Sequence, residues 1–83
     1  MLNTRNPNFP KTSETCKLLK NGIISSIETK ELFGQALANE KLELLKKNRC
    51  KKVLLWVHET YKNDPSPFVQ QIAKKALDYA RSL

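Results

Sequence analysis

The clearest pattern of apolar and polar positions lies at the C-terminal end of the chain. After the turn residues Asn63-Asp64-Pro65, Ser66 is a predicted helix N-cap, and Pro67 occupies the first helical position, where its missing N–H costs no hydrogen bond. The apolar residues that follow recur with the period of a helix and line one half of it: Phe68, Val69, Ile72, Ala73, Ala76, Leu77, Ala80 and Leu83. The spacing therefore predicts an amphipathic helix over Ser66–Leu83.

The same helical period predicts three shorter segments before this helix. Ser13 is a predicted N-cap for the first segment, which ends at the stop signal Asn21-Gly22. The second segment extends from Ile23 to about Ala38, and Asn39 caps the third, which carries three leucines. Residues 1–12 contain two prolines and no periodic pattern, so they are predicted to form an extended or disordered arm.

The basic stretch over residues 46–52 indicates a break in the helical pattern. When its residues are advanced by about 100° each, the five cations spread around the whole circumference, and Lys46 and Arg49 fall on the apolar side. One continuous helix over Asn39–Asn63 would bury those cations. The pattern therefore favours a break near Asn48, with a single long helix as the alternative.

These elements predict an all-α fold, a small bundle of four to five short helices that forms one domain over residues 13–83. A chain of 83 residues has no room for a second domain or for the deep cleft of a large enzyme. No apolar stretch approaches the roughly 20 residues that span a bilayer, and the first residues lack the apolar core of a secretory signal. We therefore expect a cytoplasmic protein, or a nuclear one in a eukaryote, that does not bind membranes.

Cys16 and Cys50 are the two cysteines, and neither belongs to a CxxC motif or has a histidine beside it. A chain this short that depended on disulfides would normally carry four or more cysteines. The preferred interpretation is therefore a pair of reduced thiols packed as small apolar residues in a cytosolic or nuclear protein, with a Cys16–Cys50 disulfide as the alternative.

The sequence offers little for catalysis. His58-Glu59 begins like the zinc motif HExxH, but Lys62 stands where the second histidine belongs. No phosphate-binding loop, dinucleotide fingerprint or calcium loop is found, and His58 is predicted to be a solvated surface residue. We expect neither enzymatic activity nor a metal or other cofactor.

The aromatic residues and the glycines mostly indicate packing. Aromatic side chains at helical spacing beside valine and leucine usually belong to a core, which is the preferred interpretation for Phe33, Trp56, Tyr61 and Phe68. Gly34 is predicted to mark a close contact between helices.

Positive charge is concentrated in the middle of the chain. The 15 Lys and Arg exceed the 8 Asp and Glu by seven charges, and four of those seven belong to residues 39–63. Cations beside a helix break suit the steering of an acidic partner. An apolar side chain on an otherwise polar helix side, or a large aromatic that cannot be fully hidden, would add an apolar anchor. The predicted partner-binding residues are Lys47, Arg49, Lys51, Lys52, Leu55 and Trp56.

The segment over residues 64–77 carries a resemblance to a known family. It reads DPSPFVQQIAKKAL and, after a helix over Lys51–Asn63, resembles the second helix of a HEAT-type repeat, with Gln70 standing where that family usually has arginine or lysine. The closing stretch over residues 73–77, behind a basic junction, is also similar to the amino-terminal helical bundle of transcription elongation factors, without the tryptophan expected in its last helix. Both resemblances imply a module that binds peptides or neighbouring helices and has no catalytic activity.

The first functional hypothesis is a small basic helical domain that acts as a non-catalytic adaptor or regulator and binds another protein through an acidic or amphipathic segment. The alternative is a small nucleic-acid-associated protein that contacts phosphates through the Lys46–Lys52 cluster. No aromatic residue is interleaved with those cations to stack on bases. A self-associating helical bundle is the third hypothesis.

Overall fold

The computed structural model describes residues 8–29 and 32–83. In this part of the chain it contains four helices and no strand: α1 (Asn8–Thr29), α2 (Leu32–Lys47), α3 (Lys51–Tyr61) and α4 (Pro67–Arg81). The predicted all-α bundle of four to five helices is confirmed.

Helix α1 is longer than the sequence predicted. It begins at Asn8, inside the segment predicted as an arm, and residues 1–7 of that segment lie outside the described residues. It also continues through Gly22, the predicted stop, although a glycine in a helix costs about 1 kcal/mol relative to alanine. The reason is a buried apolar face that continues across this glycine at intervals of one turn: Leu19, Ile23 and Ile27.

Helix α2 passes through Asn39, which the sequence placed at the start of a helix. The Asn39 Nδ2 atom donates to the Gln35 carbonyl oxygen at 3.0 Å, and its Oδ1 atom accepts from Lys75 Nζ on α4 at 3.1 Å. Because both ends of the amide are hydrogen-bonded inside the fold, Asn39 is stable within the helix instead of at its cap. The boundary predicted at this residue lies elsewhere, since α1 ends at Thr29 and α2 begins at Leu32.

The predicted break near Asn48 is confirmed. The Cys50 N–H donates to the Leu45 carbonyl and the Arg49 N–H to the Lys46 carbonyl, which is the Schellman pattern that closes a helix. This pattern requires a left-handed residue, and Arg49 takes that conformation with a φ of 57°. A glycine usually occupies such a position, because a side chain there costs about 1 kcal/mol or more. The chain thus bends sharply between α2 and α3 at a strained arginine.

Helix α4 begins as predicted. Ser66 is its N-cap, and the Ser66 Oγ atom accepts from the Val69 N–H at 3.4 Å. Pro67 occupies the first helical position, and the apolar side of α4 is buried against the other helices.

The four helices form two hairpins that share one core. Helix α1 packs mainly on α2, and α3 packs mainly on α4. The buried side chains of all four helices form one continuous cluster, whose largest members are Ile23, Leu42, Leu45, Leu54, Val57 and Ile72.

The aromatic residues divide between the core and the surface. Trp56, Tyr61 and Phe68 are partly buried and pack against the core, as predicted. The prediction for Phe33 is wrong, because its side chain is 68% exposed. Phe33 lies nine residues before the buried Leu42, which is about half a turn away around α2, so it faces solvent.

Gly34 forms the close helix–helix contact that the sequence predicted. A Cβ atom at this position would lie 2.6 Å from the Ser26 carbonyl oxygen of α1. The backbones of α1 and α2 therefore approach each other here more closely than any side chain would allow.

Candidate anion-binding groove

The part of α1 around Cys16 lies against the α2–α3 junction, and a disulfide joins the two. Cys16 of α1 and Cys50 of the junction are 34 residues apart in the sequence, and their Cα atoms are 5.7 Å apart. The interpretation of both cysteines as reduced thiols is wrong. Their long separation hides the pairing, which depends on the packing of α1 against the junction and leaves no local pattern in the sequence.

An open groove with a volume of about 490 Å³ runs beside this disulfide. The described residues that line it come from α1, the junction and the first turn of α3: Cys16, Lys17, Lys20, Arg49, Cys50, Lys51, Lys52 and Val53. Five of them are cations, and none of them is acidic. The groove therefore combines an apolar surface, provided by the disulfide and Val53, with positive charge from two separate stretches of the chain.

Among the side chains that the structure describes, those of residues 14–29 and 33–83, no groove cation forms a salt bridge with a carboxylate within 4.0 Å. The one salt bridge among these side chains joins Lys62 to Glu59, outside the groove. Lys20 makes a contact within the fold, since its Nζ atom lies 4.2 Å from the centroid of the Trp56 ring. Like charges gathered in one concave surface raise the local potential and attract anions, most strongly at low ionic strength.

Three of the predicted cations line the groove and one does not. Arg49, Lys51 and Lys52 are exposed and belong to its wall. Lys47 is the last residue of α2 and is exposed, but it is not among the lining residues. The predicted cations at the junction and in the first turn of α3 therefore line the groove, whereas Lys47 lies outside it.

The two predicted apolar anchors differ in their surroundings. Leu55 is 39% exposed and lies one helical turn after the groove residue Lys51 on α3, although it is not itself a lining residue. Trp56 is half-buried against the core, with Lys20 over its face and the edge of Tyr61 at 6.0 Å between ring centroids. Leu55 is therefore available to a partner, whereas much of the Trp56 ring is occupied within the fold.

Lys46, another member of the basic stretch, is directed to a different contact. Its Nζ atom lies 4.7 Å from the ring centroid of Tyr79 on α4, and the Tyr79 hydroxyl donates to the Glu43 carboxylate. Burial, followed by the hydrogen bond and the negative charge of Glu43, raises the pKa of Tyr79 to about 12. Lys46 thus helps to join α2 to α4 and does not add to the groove.

Sequence reasoning missed the α1 side of the groove. Lys17 and Lys20 follow Cys16 by one and four residues, while Arg49, Lys51 and Lys52 flank Cys50. The available signal was that each cysteine stands among cations, so that pairing the cysteines also brings the two basic stretches together. Because the cysteines were expected to be reduced, the two basic stretches were not expected to lie together.

The prediction that His58 is a solvated surface residue is also wrong. His58 is half-buried, and its Nδ1 atom lies 3.2 Å from the Ala73 carbonyl oxygen of α4. A protonated Nδ1 donates to that carbonyl, so the side chain links the two helices of the second hairpin.

None of the helices over residues 8–29 and 32–83 combines the length and the apolar character that a bilayer span requires. No protein-family profile, curated protein sequence or solved structure matches the chain at a significant level. The resemblances to a HEAT-type hairpin and to the elongation-factor bundle therefore stay predictions.

Proposed function

We propose that the protein is a non-catalytic interaction domain whose basic groove binds an acidic segment of another protein. The observation that carries this proposal is the groove itself, in which five cations from α1 and from the α2–α3 junction surround an apolar surface and none of the described lining residues is acidic. A chain bearing carboxylates would supply counter-charges and meet cations on both sides.

The apolar features of the site favour a segment that mixes acidic and apolar residues. Leu55 lies one turn from Lys51 and is 39% exposed, so a partner that fills the groove also reaches an apolar contact. Val53 and the disulfide provide further apolar surface inside the groove. Charge then steers the partner to the site and apolar contact slows its release.

The alternative, binding to nucleic acid through the Lys46–Lys52 cluster, has less support. Lys46 lies over the Tyr79 ring, so fewer cations of the cluster are available to phosphates. The nearby Trp56 carries Lys20 on its face and Tyr61 at its edge, so it offers little surface on which a base could stack. A concave groove of about 490 Å³ also suits a single peptide chain better than the convex surface of a duplex.

The compartment is part of the proposal. The sequence favoured the cytoplasm partly because reduced thiols were expected there. The disulfide between Cys16 and Cys50 favours instead a compartment whose redox poise allows disulfides to persist.

A HEAT-like role for the α3–α4 hairpin is compatible with this function, since such hairpins bind peptides and neighbouring helices.

Fluorescence anisotropy with labelled probes tests the proposal. The probes are a short peptide of Glu and Leu residues, a peptide of the same length with Gln in place of Glu, a single-stranded RNA and a duplex DNA. We expect the Glu/Leu peptide to bind most tightly and the Gln/Leu peptide to bind at least about tenfold more weakly, a difference of about 1.4 kcal/mol. Binding to RNA or DNA without binding to the acidic peptide, with a log–log salt slope of about −0.9 per phosphate neutralised, would support the alternative.

Charge-matched variants show whether the groove is the binding surface. Lys17→Glu/Lys52→Glu reverses one cation on each side of it, whereas Lys74→Glu/Arg81→Glu makes the same change of net charge on exposed positions of α4. The proposal expects a loss of about tenfold or more for the first pair and a change within about twofold for the second. Equal losses for both pairs would indicate attraction by net charge alone and contradict the proposal.

A further inference from the structure

The disulfide forms part of the groove wall and lies among its cations. Cys16 is half-buried and Cys50 is only 4% exposed, and both line the open groove. Lys17 and Lys20 follow the first cysteine on α1, and Arg49, Lys51 and Lys52 flank the second. Any reagent that reaches the sulfur atoms through the groove therefore enters a strongly positive surface.

Positive charge affects every stage of disulfide reduction. The attacking species is a thiolate, the negative charge is shared among sulfur atoms as the bonds exchange, and the departing sulfur leaves as a thiolate. Nearby cations stabilise each of these anions. They also raise the local concentration of a thiol that carries an additional negative charge.

The position of Cys50 favours it as the leaving sulfur. Cys50 is the N-cap residue of α3, no side chain caps this helix, and its first turn contains no acidic residue. A thiolate at a helix N-terminus is stabilised by the helix dipole and the free N–H groups, which lowers the pKa of the thiol. Cys16 is the more exposed partner, which makes its sulfur the accessible target.

From these observations we infer that Cys16–Cys50 is a thiol–disulfide exchange site whose surrounding cations select small anionic thiols as reductants. The thiolate of such a molecule attacks Cys16 Sγ, which forms a mixed disulfide on Cys16 and releases Cys50 as a thiolate. A second molecule of the same thiol attacks the mixed disulfide at the sulfur of the bound thiol. Two protein thiols and one disulfide of the small molecule result, so two electrons pass from the small thiol to the protein.

The exchange site shares the groove with the proposed function but does not depend on it. Reduction acts on the isolated domain in the absence of a partner. Reduction also affects the groove, because it breaks the cross-link that holds the α1 cations beside the junction cations.

The test compares how fast the oxidised domain is reduced by three thiols that differ in charge. The anionic thiol is 2-mercaptoethanesulfonate, the neutral one is 2-mercaptoethanol and the cationic one is cysteamine. Each rate is measured by alkylating the newly formed protein thiols and determining the mass of the product by mass spectrometry. It is then divided by the rate at which the same thiol reduces an uncharged small disulfide, which cancels differences in intrinsic nucleophilicity. At low salt we expect a normalised preference of about tenfold or more for the anionic over the neutral thiol, with the cationic thiol slowest.

Salt and charge variants then identify the source of the preference. It should shrink severalfold in high salt and in Lys17→Glu/Lys52→Glu, and it should persist in the charge-matched Lys74→Glu/Arg81→Glu. Equal normalised rates for the three thiols in the wild-type domain would overturn the inference. So would a rate that stops rising with thiol concentration, because reduction would then wait for global unfolding and the groove would play no part.

Discussion

Cys16 and Cys50 are joined although they are 34 positions apart in the sequence, and their bond connects α1 to the bend between α2 and α3. A cross-link over that length restricts the unfolded chain far more than the folded one, so the chain-entropy treatment assigns it about 3–4 kcal/mol of stability. For a domain of this size that is a large share of the total free energy of unfolding.

The first prediction follows from this link. Cys16→Ala/Cys50→Ala should lower the free energy of unfolding in urea by about 3–4 kcal/mol relative to the oxidised domain. Wild-type protein kept reduced should behave like the variant, which serves as the control for the lost side-chain packing. Equal stability of the oxidised and reduced wild type would show that the bond contributes nothing to the fold.

The second prediction separates stability from binding at Arg49. Its left-handed backbone, with a φ of 57°, suits glycine, and its side chain lines the groove. Arg49→Gly should therefore raise the free energy of unfolding by about 0.5–1 kcal/mol while weakening the binding of an acidic Glu/Leu peptide. Urea unfolding and peptide anisotropy on the same samples measure the two effects. A variant that loses stability, or that keeps full peptide affinity, would argue against this dual role.

The third prediction concerns the contact between α1 and α2. Gly34→Ala places a Cβ atom 2.6 Å from the Ser26 carbonyl oxygen, which belongs to the backbone and cannot move aside cheaply. We expect a loss of about 1–3 kcal/mol despite the better helix propensity of alanine.

Gly22→Ala is the matched control for this change. A Cβ atom at Gly22 would meet the flexible end of the Lys41 side chain, with Lys41 Cε at 3.1 Å. This variant should be unchanged or more stable by up to about 1 kcal/mol, as its helix propensity predicts. Thermal unfolding of both variants followed by circular dichroism provides the comparison, and equal effects at the two glycines would contradict the close contact.

The fourth prediction concerns alkaline pH. In the unfolded chain the pKa of Tyr79 is about 10, whereas burial, followed by its contact with Glu43, raises the pKa to about 12 in the fold. Between these values the unfolded state loses its proton first, so the contribution of Tyr79 to stability is present below about pH 10 and is lost as the pH rises towards 12.

Tyr79→Phe removes this effect. The difference in urea midpoint between wild type and Tyr79→Phe should be constant from neutral pH to about pH 10 and should then change in favour of the variant. Comparison with the variant cancels the titration of the lysines. A difference that stays constant across the whole range would show that Tyr79 has the same pKa in both states.

Local signals in the sequence identified the parts of the fold that depend on neighbouring residues. Ser66 and Pro67 defined the start of α4, and the conflict between cations and the apolar face located the bend near Asn48. The helix ends predicted at Gly22 and Asn39 were wrong, because burial of the α1 face and the hydrogen bond from Lys75 to Asn39 are tertiary interactions. Propensity alone does not contain that information.

The sequence predicted one side of the candidate site and missed the other. The junction cations Arg49, Lys51 and Lys52 were found because they form a cluster in the sequence. Lys17 and Lys20 were not, because only the disulfide and the packing of α1 bring them to the junction. A pairing between residues 34 positions apart carries no periodic signal, and two cysteines alone do not reveal whether they are bonded.

The measurement that tests the central claim most directly is an amide chemical-shift map of the ¹⁵N-labelled, oxidised domain titrated with the acidic Glu/Leu peptide. If cations from α1 and from the junction form one binding site, amides over residues 16–20 and over residues 49–53 should shift together and follow a single Kd. Shifts confined to residues 49–53, or spread equally to the exposed α4 cations Lys74 and Arg81, would contradict the account.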